Sequence, residues 1–113
     1  MKKFLVIYHA NADAMSKMNN DKSPEEMREA MKPWMEWAEK CGDGLVDIGS
    51  PLAGGFKITK NDGEAGTRDV VGYSILQAED MDGAKKMLEG HPHLGWDAGC
   101  DIEVHEAMPL PGA

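Results

Sequence analysis

The sequence predicts an α+β fold, a split βαβ repeat of the ferredoxin-like plait type (βαββαβ) with an antiparallel sheet. Three observations lead there. Phe4 to Tyr8 and Val70 to Gln77 are apolar on both alternating faces, as in strands covered from two sides. Two stretches open on helix-start signals and continue with apolar residues at helical spacing. The patterned part of the chain then closes on strict alternation over Asp101 to Glu106.

The elements follow in order. After the first strand, a polar segment rich in Asn, Asp and Met runs from Asn11 to Lys22. Ser23 is then an N-cap, Pro24 takes the first helical position and Glu26 completes an S-x-x-E capping box. Met27, Ala30, Met31, Trp34, Met35, Ala38 and Cys41 form one apolar stripe along the predicted helix, and Gly42 is placed to end it. Pro33 falls inside this helix, where a proline removes a backbone hydrogen bond and clashes with the preceding turn. A kink over residues 29–32, or a fresh start at Pro33, is therefore expected. Leu45 to Gly49 reads as a short strand, broken by SPLAGG. Phe56 to Thr59 is a candidate extra strand before KNDGEAGTRD, whose turn-forming residues suggest an exposed excursion. The second helix starts at Glu79 or Asp80 and runs to about Glu89, with Gly90 and Pro92 stopping it. In the last strand Ile102 and Val104 face inward while Glu103 and His105 face outward.

The bulk properties narrow the function classes. A chain of 113 residues is one domain, residues 1–113, large enough for a modest core. A net charge of −8 argues against binding nucleic acid or anionic membranes, which need clustered Lys and Arg. No apolar run approaches a membrane span, and the apolar stretch in MKKFLVIYHA is too short for a signal-peptide core. Cys41 and Cys100 stand apart with no CxxC, which points to a cytoplasmic protein with reduced thiols, although one disulfide is left open. Two helices can cover only one face of the sheet. The apolar second face of the central strands therefore predicts a homodimer packed sheet against sheet.

The segments MKKFLVIYHA, LVDIGSPLAGG and VVGYSILQAEDMDGAKKMLEGHPHLGWDAGCDIEVHEAMPLPG, in this order, resemble the YCII-related family, which includes proteins with a DGPF-type domain. The likeness runs from the first strand to the tail and is weakest over Asn11–Asp21 and Lys60–Asp69. Its most specific part is GYSILQAED followed by a helix ending in GHPH. The resemblance implies a dimeric α+β barrel. It also implies a site pairing a first-helix histidine with an aspartate that precedes a proline after the second helix. Here the first helix has no histidine, His91 precedes Pro92, and the DGPF tetrapeptide is absent. The chemistry must therefore be read from this chain's own residues.

Plait topology brings the ends of the first two strands, the end of the second helix and the start of the last strand to one end of the sheet. His9, Ser50, His91, His93 and Asp97 to Asp101 should thus share a rim, with His105 further down its strand. Rims fed by several loops are where small-molecule pockets tend to form. His91 or His93 is a candidate general acid or base, since imidazole in water titrates near pH ~6.5, and Asp97 is the candidate to orient it. His9, Ser50 and Trp96 are candidate binding residues, with Asp13 a further contributor from the first loop. Zinc would need three or four converging ligands, and the H-P-H spacing matches no recognised set, so no metal or other cofactor is expected. The competing reading is structural: Pro92 stops a helix and the imidazoles satisfy carbonyls near its C-terminus. Cys100 is a poor nucleophile beside Asp101 and Glu103, because a thiolate needs positive surroundings. Gly54-Gly55 is followed by no helix of phosphate-loop type. The leading expectation is a homodimer with an unidentified small-molecule ligand and lyase-like or hydrolytic His/Asp chemistry. The alternative is a non-catalytic metabolite-binding or regulatory module; an oxygenase rests on fold analogy alone.

Overall fold

A computed structural model describes residues 1–11, 23–53, 55–61, 63–65 and 69–111. Their elements are β1 (Lys2–Ala10), α1 (Pro24–Cys41), a 3-10 turn (Gly42–Gly44), β2 (Leu45–Pro51), β3 (Phe56–Ile58), β4 (Gly63–Ala65), β5 (Val70–Ala78), α2 (Met81–Leu88), α3 (Pro92–Trp96) and β6 (Cys100–Ala107). The main sheet has the order β2-β5-β1-β6, with every neighbouring pair antiparallel. That is the plait order, with β5 inserted between the parallel β1 and β2.

Period-two alternation sorts the two sheet faces. Phe4, Val6, Tyr8 and Ala10 of β1 and Ser74, Leu76 and Ala78 of β5 are buried. Trp37, Ala84 and Leu88 of the helices join this core, with Trp34, Met81 and Met87 packed against it. The opposite face presents Leu5, Ile7 and His9 beside Tyr73 and Ile75, and its apolar centre is only half covered. β6 is an edge strand, and its Asp101, Glu103 and His105 pair with His9, Ile7 and Leu5, so all three lie on this open face.

Several details depart from the sequence reading. Helix α1 runs unbroken through Pro33, so no fresh start occurs there. Its cap is as expected, with the Ser23 hydroxyl accepting from the Glu26 N–H. The apolar stripe, however, is not core along its whole length: Met27 (58%), Met31 and Met35 are exposed. Contact with the sheet comes through the C-terminal half. There Trp37, rather than Trp34, is the most buried residue, and its indole N–H donates to the Met87 carbonyl. Phe56–Ile58 pairs with Gly63–Ala65 in a separate hairpin instead of leading into an unpaired excursion. Pro92 does not merely end a helix. It opens the five-residue α3, because its fixed φ and missing N–H fit a first helical position.

Candidate functional site

The His-Pro-His segment sits beneath the sheet. His91 and His93 are 1% and 4% exposed. The His91 ring is packed by Trp37 at 4.3 Å, Trp34 at 4.6 Å and Tyr8 at 5.0 Å between centroids. The hydrogen bonds there have only one consistent assignment. The Ser74 hydroxyl donates to the Ile48 carbonyl (2.6 Å), which uses its single proton. Tyr8 must then donate to Ser74 (2.7 Å), leaving the phenol oxygen to accept from His91 Nε2–H (3.1 Å). His91 Nδ1 accepts from the His93 backbone N–H (3.0 Å), as an N-cap side chain does. His91 is thus neutral with its proton on Nε2. Burial, and then the neighbouring His93, push its pKa down to about 4. Burial likewise pushes the Tyr8 phenol up to about 12.

His93 turns its Nε2 to the His9 carbonyl at 2.8 Å, and a carbonyl only accepts, so that nitrogen carries a proton. The His9 side chain points away from both, because residues 8 and 9 of a strand face opposite sides. On the open face its Nε2 meets Glu103 Oε1 at 2.9 Å. His105 Nε2 bonds the other oxygen, Oε2. Hydrogen bonds from His105 and His9 hold the Glu103 carboxyl below the usual carboxylate range.

His9 and Glu103 edge a cleft of about 560 Å³ where β1 leaves the sheet and β6 enters it. Asn11, Asp69, Cys100 and Asp101 complete its polar wall. Small residues shape the rest. A Cβ on Gly99 would strike the Asn11 side chain at 2.3 Å, so only glycine lets Asn11 lie across that turn. Asp97 holds the same turn by accepting from the Gly99 N–H at 2.8 Å.

Of the residues singled out from sequence, His9 lies in the cleft wall and Asp97 braces it. His91 and His93 are on the far side of β1, in the core. Trp96 is 40% exposed on α3 and does not line the cleft. Ser50 is at the expected end of the sheet but on the opposite edge strand, paired with Tyr73. Three strand spacings, about 14 Å, separate that edge from β6. Asp13 lies outside the described residues. Sequence reasoning set His105 apart and read Glu103 as merely outward. The signal that would have joined them is register: Asp101, Glu103 and His105 share the face of His9 as soon as β1 and β6 are paired. Among the described residues, no group of three or more His, Cys, Asp or Glu is arranged to hold a metal ion. Cys41 and Cys100 are not joined in a disulfide. No helix there is long and apolar enough to cross a membrane.

No family model matches the sequence, and no curated protein matches it. Among solved structures, the chain is similar to 5-chloro-2-hydroxyhydroquinone dehydrochlorinase (TftG) from Burkholderia phenoliruptrix AC1100, in complex with 2,5-dihydroxybenzoquinone. That likeness has 16% identity and a TM-score of 0.49, and covers 89% of this chain and 90% of the other. At this distance it conveys nothing about chemistry.

Proposed function

We propose that this protein is an acid–base enzyme of the lyase type, acting on a small organic molecule in the cleft, with His9 as general base. The observation behind it is the hydrogen bond from His9 to Glu103 at the cleft edge. A carboxylate only accepts, so in neutral His9 the proton sits on Nε2 and the lone pair on Nδ1. Glu103 fixes that tautomer and steadies the imidazolium formed when Nδ1 takes a proton from substrate. A base beside carboxylates fits proton abstraction followed by elimination better than acyl transfer. Cys100 is only 7% exposed and packs with Ala10 and Val71 on the buried side of β6, which leaves its thiol poorly placed to attack a bound molecule.

The working form in this reading is a cytoplasmic homodimer of the YCII-related kind, closed over the open sheet face. The sequence likeness and the half-covered Leu5, Ile7, Tyr73 and Ile75 support it. Amide-resonance mapping of a library of small neutral and anionic organic molecules tests the cleft. Ligands should shift His9, Asn11, Gly99 and Asp101, and Glu103→Gln should slow any turnover found by ~10²-fold or more while leaving binding detectable. Ligands that shift other surfaces only would overturn the site. Binding in the cleft with turnover indifferent to His9 and Glu103 would favour a binding module instead.

A further inference from the structure

We propose that His93 is a positioning residue for His9, holding the His9 carbonyl from the core so that the imidazole enters the cleft at a fixed angle. The inference rests on the reading of His9 as the base. His93 reaches that carbonyl across the width of β1, 2.8 Å from Nε2 to oxygen, from a side chain only 4% exposed. The contact falls where the strand needs it. The β1–β5 register slips between Tyr8 and His9, so β5 places an extra residue, Val71, opposite that step. The bulge lies in β5, which bends there, and the ladder that would otherwise hold β1 beside His9 is locally interrupted.

Two consecutive residues are therefore clamped from the same side. Tyr8 is tied through its phenol to His91 and Ser74, and His9 through its carbonyl to His93. His93 is itself fixed, since its backbone N–H donates to His91 Nδ1 and α3 begins immediately before it at Pro92. A run of hydrogen bonds, buried at its centre and part-buried at both ends, thus links Ile48 of β2 to the C-terminal end of β1. A residue that merely satisfied a spare carbonyl would leave the far side of the strand indifferent to its removal.

The test compares His93→Met, which lacks the donor, with His93→Gln, which keeps one at similar reach. Long-range 1H–15N spectra report the tautomer and environment of the His9 ring. His93→Met should move the His9 ring nitrogens and the amides of His9, Ala10 and Asn11, and His93→Gln should return them towards wild type. With a substrate in hand, His93→Met should lower kcat by up to ~10²-fold with KM little changed, as a small misplacement of the reacting group does. Unchanged His9 ring signals in folded His93→Met, or identical shifts in the two variants, would overturn the proposal. Should His93→Met not fold, the unsubstituted protein decides. A slowly exchanging proton on His93 Nε2 is expected, and a proton on Nδ1 alone would overturn it. Failure of His9→Gln to affect turnover would remove His9 as the base yet leave the spectroscopic link between the two residues standing.

Discussion

Tyr8 and His9 are neighbours in sequence with opposite fates, and the difference comes from the strand's two-residue period. Tyr8 enters a buried network in which every proton has one place to go; His9 meets solvent and the Glu103 carboxylate of β6. His91 illustrates what burial does to a residue that looks reactive in sequence. Its Nδ1 faces an N–H donor, so a second proton would meet a donor where it needs an acceptor, besides losing solvation. The consequence for stability has a definite sign. In the unfolded chain an imidazole titrates near pH ~6.5, whereas His91 in the fold titrates near 4. Between those values the unfolded state binds more protons, so stability rises with pH there and is lost as pH falls from about 6.5 towards 4. Thermal melts between pH 7 and pH 5 should show this slope, and His91→Phe should flatten it even though the variant is less stable throughout. An equal slope in both would mean that His91 does not titrate as its surroundings require.

At the scale of elements, most of the plait is legible because each strand and helix has a local cause. The β1 and β5 segments are apolar on both faces, Ser23 and Asp80 both cap their helices, and the alternation in β6 survives as an edge strand. What escaped the sequence was decided by packing between elements. The Met stripe of α1 has the right period, but only the C-terminal half of the helix lies over the sheet, so periodicity reads as core where none is reached. The His-Pro-His segment was legible as a helix stop and not as the start of α3 or as a link to β1, which needs tertiary contact. The site was half legible: topology brings His9 to the right rim, whereas its partnership with Glu103 and His105 depends on register. Gly49 in β2 is a further local requirement. Its φ is 82°, and a Cβ there would lie 1.7 Å from the Tyr73 carbonyl oxygen. Gly49→Ala should therefore loosen β2 from β5 and destabilise the fold by more than the ~1 kcal/mol that such a change can gain where the backbone accepts it. Chemical denaturation measures this, and a variant as stable as the parent would contradict the geometry.

The whole molecule is thin for its chain length. Its extents are 46 × 45 × 23 Å and its radius of gyration is 15.6 Å, above the ~13 Å of a compact chain this long. A two-layer plait has one sheet face with no helices over it, and here that face has an apolar centre with Leu5 38% exposed. Pairing two such faces removes them from water, and this is the physical basis of the proposed dimer. Sedimentation at micromolar concentration should give twice the 12.3 kDa chain mass, and Ile75→Lys, placing a charge at the face centre, should shift the protein towards monomer. A parent that sediments as a monomer would contradict the dimer.

The open face also bears His9, Glu103 and His105, so the chemistry proposed for the cleft and the surface proposed for assembly adjoin. The most direct test of the acid–base reading is the steady-state rate of His9→Gln beside the unsubstituted protein, on the first small molecule found to be turned over. Glutamine keeps a donor for Glu103 and the size of the side chain but offers no nitrogen that takes up a proton. The expected result is a fall in kcat of ~10²- to 10⁴-fold with binding retained. A His9→Gln variant that turns over at the parent rate would contradict the central claim.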